Sequence, residues 1–323
     1  MIEAHSSATH SDSVETVMRE ELAHGDAMLG TIAPILRHLI ASEDHSVFGD
    51  DVIARVRGML AHVATQLLDA YAAATAGIGE RQEHDAAQVT ALVRALVGIP
   101  GFLGHAHALA IEWQLAERMQ ARLAVDPVLT PLLQALVASS EPPTAGAAMN
   151  LLAAQARFVQ QQRRMQLPLG ELPADHLFGA LTVLRAHAGQ EADGAEFVAA
   201  AETGIRDSYD ESRGRLGLIA RLVTGMGGGA VAALSMTHAG VAIFASALSI
   251  ASGQDRDLVV LATNESQLAR LALALRASGL KPTAIEEQFL SLHPTVALPP
   301  GFEHLGADRA AAILAVSGTR SMS

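Results

Sequence analysis

Apolar residues recur at the spacing of one helix face along nearly the whole chain, and this periodicity constrains the fold more than any other feature. The clearest stripe runs Phe48, Val52, Val56, Leu60, Val63, Leu67, Tyr71 and ends at Gly77. An earlier one comprises Val14, Met18, Leu22, Leu29, Ile32, Leu36 and Leu39, with Asp12 and Glu15 placed as a capping box. Gly25 and Pro34 are expected to bend or split that segment. Further helices are expected near residues 85–97, 102–123, 127–138 and 144–166, then 174–187, 194–223, 237–251, 257–262, 266–277, 283–292 and 307–316. The breaks between them carry helix-ending punctuation such as "GIPGF" and "SSEPPTAG".

Composition points the same way. Half of the residues are apolar but only 3% are aromatic, and Ala and Leu dominate. Such side chains favour helix, whereas strands draw on β-branched and aromatic residues. The expected fold class is therefore all-α, a multi-helix bundle or a short solenoid-like stack of helix pairs without a substantial β-sheet. The segment "DLVVLATN" (residues 257–264) would pass for a buried strand, but no set of companion strands accompanies it. At 323 residues the chain suits one large or two medium domains. The segment "MQLPLGELPADHL" (165–177) suggests a division into residues 1–165 and 166–323.

Charge narrows the partners. Acids outnumber bases by 18 to 11 before Met165 and by 16 to 11 after it, so both halves are negative, at −7 and −5. A surface of that sign repels phosphate backbones and anionic lipid, so no nucleic-acid partner is expected. There are no cysteines, which removes disulfides and thiolate metal sites together. The opening "MIEAHSSATHSDSVE" has no basic segment followed by an apolar core, so the expected location is cytoplasmic. Residues 222–254 contain no Asp, Glu, Lys or Arg and are long enough to span a bilayer. Interrupting glycines and serines make a buried pair of helices the expected reading instead.

The same stretch holds "LVTGMGGGAVAAL", which mimics the glycine turn of a dinucleotide site. That site needs a strand before the glycines and an acid about 20 residues beyond them. Here the lead-in "RGRLGLIARLVT" has helical spacing, and the next acid is Asp255. Consecutive glycines cost helix about 0.8–1 kcal/mol each relative to Ala. They end a helix without any ligand, and no cofactor is expected.

Other constellations lack the spacing their chemistry requires. His105 and His107 are two apart and diverge on a helix, so no metal site is expected, and both are read as surface or helix-end residues. No nucleophile elbow or phosphate loop is present, and no catalytic residue is assigned. Glu20/Glu21, Asp50/Asp51 and Glu286/Glu287 are adjacent pairs suited to solvated faces. In "IRDSYDESRGR" (205–215), Asp210 with Arg213 and Glu211 with Arg215 are spaced to pair along an exposed helix. Arg163 and Arg164 lie at an expected helix C-terminus, where the macrodipole favours cations. Arg163, Arg164, Arg206, Tyr209 and Arg213 are the candidate interaction residues.

"ASGQDRDLVVLATNESQLARLALALRASGLKPTAIEEQFLSL" (251–292), with "RRMQLPLGELPADHLFGAL" (163–181) upstream, resembles an uncharacterised alphaproteobacterial family of all-helical proteins with HEAT-like helix pairing. The resemblance covers the C-terminal half, implies the same all-α class and supplies no activity. The expected function is that of a non-enzymatic protein working through protein–protein contacts or self-association, in regulation or assembly. The alternative is a small-molecule binder or enzyme with an apolar inter-helix pocket near residues 225–251.

Overall fold

The computed structural model describes residues 2–41, 51–76, 84–188 and 194–318, and every regular element among them is helical. In chain order the first seven α-helices are α1 (Ile2–Ala41), α2 (Asp51–Ala76), α3 (Ala86–Val97), α4 (Phe102–Leu123), α5 (Pro131–Val137), α6 (Pro142–Arg163) and α7 (Ala174–Ala188). They continue as α8 (Gly194–Ser208), α9 (Arg215–Gly225), α10 (Met236–Ser252), α11 (Arg256–Leu261), α12 (Leu268–Ala277), α13 (Pro282–Leu292) and α14 (Ala307–Gly318). Phe48, Asp50 and Gly77 lie outside the described residues. The rest of the Val52–Tyr71 stripe falls on α2, whose Val52, Val56, Leu60, Val63 and Leu67 are all buried. Each such side chain removed from water contributes about 1.5–3 kcal/mol.

The chain forms two compact units. One comprises Met1–Pro34, Gln114–Ala148 and Ile219–Ser323; the other comprises Ile35–Trp113 and Met149–Leu218.

In the first unit α10 is the central helix, packed by α5, α11, α12, α13 and a 3-10 turn at Gly227–Leu234. Residues 239–248 of α10 are all buried. The helix kinks at Gly240, where φ is +73° and a Cβ would lie 2.4 Å from Thr130 Cγ2. Thr130 is the N-cap of α5, so the glycine admits the start of that helix. Further on, α12 buries Leu271 to Leu275 without interruption and packs on α14. After the end of α9 the uncharged stretch is thus a short 3-10 segment and α10, set at 111° to each other, and no single helix among the described residues is long and apolar enough to cross a membrane.

Two expectations for α1 are corrected. The helix is continuous across residues 12–15, so the helix start expected there is not found. Glu15 instead accepts hydrogen bonds from Arg309 at 2.7 Å and Arg19 at 3.2 Å. The Arg309 bond, more than the opposing burial, holds its carboxyl below the usual range. Nor does Gly25 split the helix. A Cβ there would meet Gln267 Oε1 at 2.9 Å and Ser266 O at 3.1 Å, and Gln267 donates to Gly25 O at 2.6 Å. The glycine permits close approach of the Ser266 turn. Pro34 lies within the same continuous helix.

In the second unit α2 packs on α3, α7 and α8, and α7 packs on both α3 and α8. The Arg163 end of α6 closes with Gln166 N–H donating to Gln161 O at 2.9 Å, in the Schellman manner. Met165 there has φ +55°, and Gly58 on α2 leaves room for it, since a Cβ on Gly58 would sit 2.6 Å from Met165 Cβ.

Candidate functional site

The site grows from two short turns of the second unit. The first is a 3-10 turn at Leu169–Glu171, between α6 and α7. Gln66 on α2 clamps its approach: the side-chain amide donates to Leu167 O at 2.9 Å while Oε1 accepts from Leu169 N–H at 3.1 Å. His62, one turn earlier, also reaches Leu167 O at 2.9 Å. Buried Leu167, Leu169 and Leu172 anchor the segment, so the proline-flanked stretch is packed along its length.

The second is a 3-10 turn at Glu211–Arg213, between α8 and α9. A single helix over 194–223 is therefore corrected to two helices with a turn between them. Asp210 starts the turn, its Oδ1 accepting from Ser212 N–H at 3.0 Å and Ser212 Oγ–H at 2.6 Å. Gly217 makes this geometry possible, because a Cβ there would stand 2.4 Å from Glu211 O. No side chain larger than hydrogen fits beneath the turn.

The two turns are tied at three points. Tyr209 Oη–H donates to Leu172 O at 2.8 Å, Ala174 N–H donates to Glu211 Oε1 at 3.3 Å, and Arg215 N–H donates to Glu171 Oε2 at 2.9 Å. The expected Asp210–Arg213 and Glu211–Arg215 pairs are replaced by these contacts. The reason is geometric: residues 209–214 leave the α-helix for a 3-10 turn, so neighbours three and four apart no longer share an α-helical face.

Arg215 turns inward instead. Its guanidinium meets Glu112 of α4 at 2.5 Å and 3.2 Å, approaches Gln155 Oε1 at 3.5 Å and lies 3.6 Å from the centre of the Phe158 ring. The two charged side chains are 2% and 1% exposed. Nearby Arg55 pairs with Asp51, donates to Gln162 O and faces the Trp113 ring. His105 and His107 also lie in this interior rather than on the surface, and the rings of His105 and His176 are 5.1 Å apart, tilted by 47°. Their helix is buried from Phe102 to Trp113 except at Gly104, which leaves both residues little contact with solvent. Glu20, Glu21, Glu286 and Glu287 are exposed, as expected.

A cavity of about 330 Å³ opens against the tied turns, lined by Gln66, Asp69, Leu169, Gly170, Ile205, Ser208 and Tyr209. Asp69 Oδ1 accepts from His84 at 2.7 Å, and its side chain is half exposed. The Tyr209 phenol is pushed up to about 12, first by burial and then by Glu211, Asp175 and Asp210. Of the five candidate interaction residues, Tyr209 alone lines this cavity. Arg206 is exposed and paired with Glu202 at 3.5 Å, Arg213 is exposed on the second turn, and Arg163 and Arg164 are exposed at the end of α6. A second cavity, of about 270 Å³, lies in the first unit beside Leu22, Asp26, Ile313 and Val316. Neither cavity is lined by residues 225–251.

Sequence reasoning missed the partnership of Glu112 with Arg215. Both residues stood out in dense motifs, but they are separated by 103 positions and no local spacing links them. The fold and site define an all-α protein whose apolar core holds a buried ion pair and whose turn junction carries a small open cavity. The chain matches no protein-family model, no curated protein and no solved structure.

Proposed function

We propose that this chain is a non-enzymatic helical protein that works by binding another polypeptide, and that the junction of the two turns in the second unit is its contact surface. The observation that carries this reading is the open cavity beside Tyr209, flanked in sequence by exposed Arg206 and Arg213. The cavity lies near the small end of the roughly 300–1,000 Å³ range of ligand pockets. It suits one anchoring side chain of a partner better than a cofactor. The tied turns hold its shape before any partner arrives, which limits the ordering cost of association. Glu112 and Arg215, both buried, form an ion pair with each other, which supports a structural rather than a proton-transferring role for them.

The test places a photo-crosslinking amino acid at position 213 and, as a control, at exposed Leu290 of α13. Irradiation in extract of the native cell should attach one defined polypeptide, or a second copy of this chain, at 213 and not at 290. Equal labelling at both positions, or none at 213, refutes the reading.

A further inference from the structure

Resting on that reading, we infer that the cavity between α2 and the α8–α9 turn receives a basic side chain, arginine above lysine, from the partner polypeptide. Three features of the lining select a cation. Asp69 presents a half-exposed carboxylate, and while His84 occupies Oδ1, Oδ2 carries no hydrogen bond among the described residues. Tyr209 adds an aromatic ring to the wall, and a guanidinium stacks on such a ring more readily than an ammonium does. Gln66 and Ser208 already spend hydrogens on backbone carbonyls, Leu167 O and Ile205 O respectively. Among the described residues no lysine or arginine lines the cavity. Arg206, the nearest cation along the chain from Ile205, is drawn to Glu202.

The wider field has the same sign. Asp175, Asp210 and Glu211 all act on the Tyr209 phenol, so three carboxylates beyond the lining bear on this end of the cavity. An anionic anchor would be repelled by that field, and a neutral one would gain no charge pairing from it. A guanidinium can pair with Asp69 while its face lies on the ring. The volume also fits: about 330 Å³ accommodates one long side chain and its hydration, not an extended ligand.

The chain's two tyrosines make the test simple. Full-length protein carrying 3-fluorotyrosine gives fluorine signals for Tyr71 and Tyr209 only, assigned with Tyr71→Phe and Tyr209→Phe. Titration with Nα-acetyl-arginine amide should shift the Tyr209 signal saturably, with a Kd on the order of millimolar, and leave Tyr71 in place. The lysine amide should bind more weakly, and the neutral citrulline amide at least tenfold more weakly. Asp69→Asn should weaken arginine amide binding at least fivefold, with an unchanged helical circular dichroism spectrum. Equal response to citrulline, no response at tens of millimolar, or an unaffected Asp69→Asn variant would each overturn the inference.

The crosslinking at position 213, repeated with arginine amide as competitor, separates this idea from the broader one. A crosslink that persists while the Tyr209 signal stays still overturns the cationic anchor and leaves polypeptide binding standing. A shifting Tyr209 signal without any crosslink assigns the cavity to a free guanidinium compound and overturns the polypeptide source.

Discussion

Replacing Glu112 by Gln should be among the most damaging single-atom-scale changes this chain can suffer. Glu112 and Arg215 are 1% and 2% exposed, joined by contacts of 2.5 Å and 3.2 Å. Solvent cannot take over when one partner is neutralised. Gln keeps the shape and one acceptor, yet leaves the guanidinium charge buried against Phe158 and Gln155 with no counter-ion. Removing one member of such a pair costs about 3–5 kcal/mol, whereas replacing both with well-packed apolar residues is often close to neutral. Urea unfolding followed by circular dichroism provides the assay. With a slope of about 1–3 kcal/mol per molar, Glu112→Gln should lower the midpoint of the transition that reports the second unit by about 1 M or more. Arg215→Met should do the same. Measured against the single variants Glu112→Leu and Arg215→Met, the double variant Glu112→Leu/Arg215→Met should recover most of the loss, giving a coupling energy of at least about 2 kcal/mol. A single-variant cost below about 1 kcal/mol, or strictly additive losses, would refute the claim that the two charges depend on each other.

Three further outcomes follow from other parts of the molecule. Gly240→Ala should destabilise the first unit by about 1–3 kcal/mol, because φ is +73° and the new methyl would collide with Thr130 Cγ2; thermal melts should show it, and an unchanged midpoint would contradict the packing described. His293 is buried with Nε2–H donating to Thr263 O at 2.8 Å, and burial above all lowers its pKa from the ordinary 6.5, with Arg118 and Arg122 adding to it. Folding therefore favours the neutral ring, so stability should be full above about pH 6.5 and fall as pH drops below it. His293→Gln should flatten that part of a stability–pH curve, and an unaltered slope would assign the effect elsewhere. Tyr209→Phe should cost about 1 kcal/mol from the lost bond to Leu172 O and should remove, from an alkaline absorbance titration, the step of this phenol, which burial pushes up to about 12.

Helix content was legible because burial repeats at 3.6 residues whatever the helix packs against. The α2 stripe could be read residue by residue. The glycines of "GMGGGA" could also be read, for they follow α9 and lead into a 3-10 turn with no strand before them. What stayed hidden depends on neighbours remote in sequence. Gly25 and Gly217 resemble helix breakers on propensity alone, but each is small because another backbone or side chain crosses it. His105 and His107 resemble surface residues on polarity alone, yet they sit on a helix buried on every side at their level. The "IRDSYDESRGR" segment misled for a related reason. Its charges fit i,i+4 pairing, but capping by Asp210 and the inward pull of Glu112 on Arg215 favour a turn. A local gain of about 0.2–0.5 kcal/mol per exposed pair is small beside the energy at stake in a buried one.

That comparison of magnitudes also links the core to the cavity. Arg215 is bound twice, by its side chain to Glu112 in the interior and by its backbone to Glu171 on the first turn. Six residues earlier, Tyr209 is tied to Leu172 at the end of that same turn. The wall of the cavity is therefore suspended between two fixed points, one of them a fully desolvated ion pair. An exposed loop of mixed charge would sample many shapes and would meet a partner at the cost of ordering it. Here the order is set when the protein folds, and the binding energy of an incoming cation is not spent on arranging the receptor. If this is right, Glu112→Gln should reach beyond stability. Under conditions where the variant is still folded, its Tyr209 fluorine signal should broaden and its affinity for arginine amide should fall, although Glu112 is not among the residues lining the cavity. A variant that loses stability but binds arginine amide as well as the parent would mean that the turn keeps its shape without the buried pair. The contacts to Glu171 and Leu172 would then be sufficient on their own.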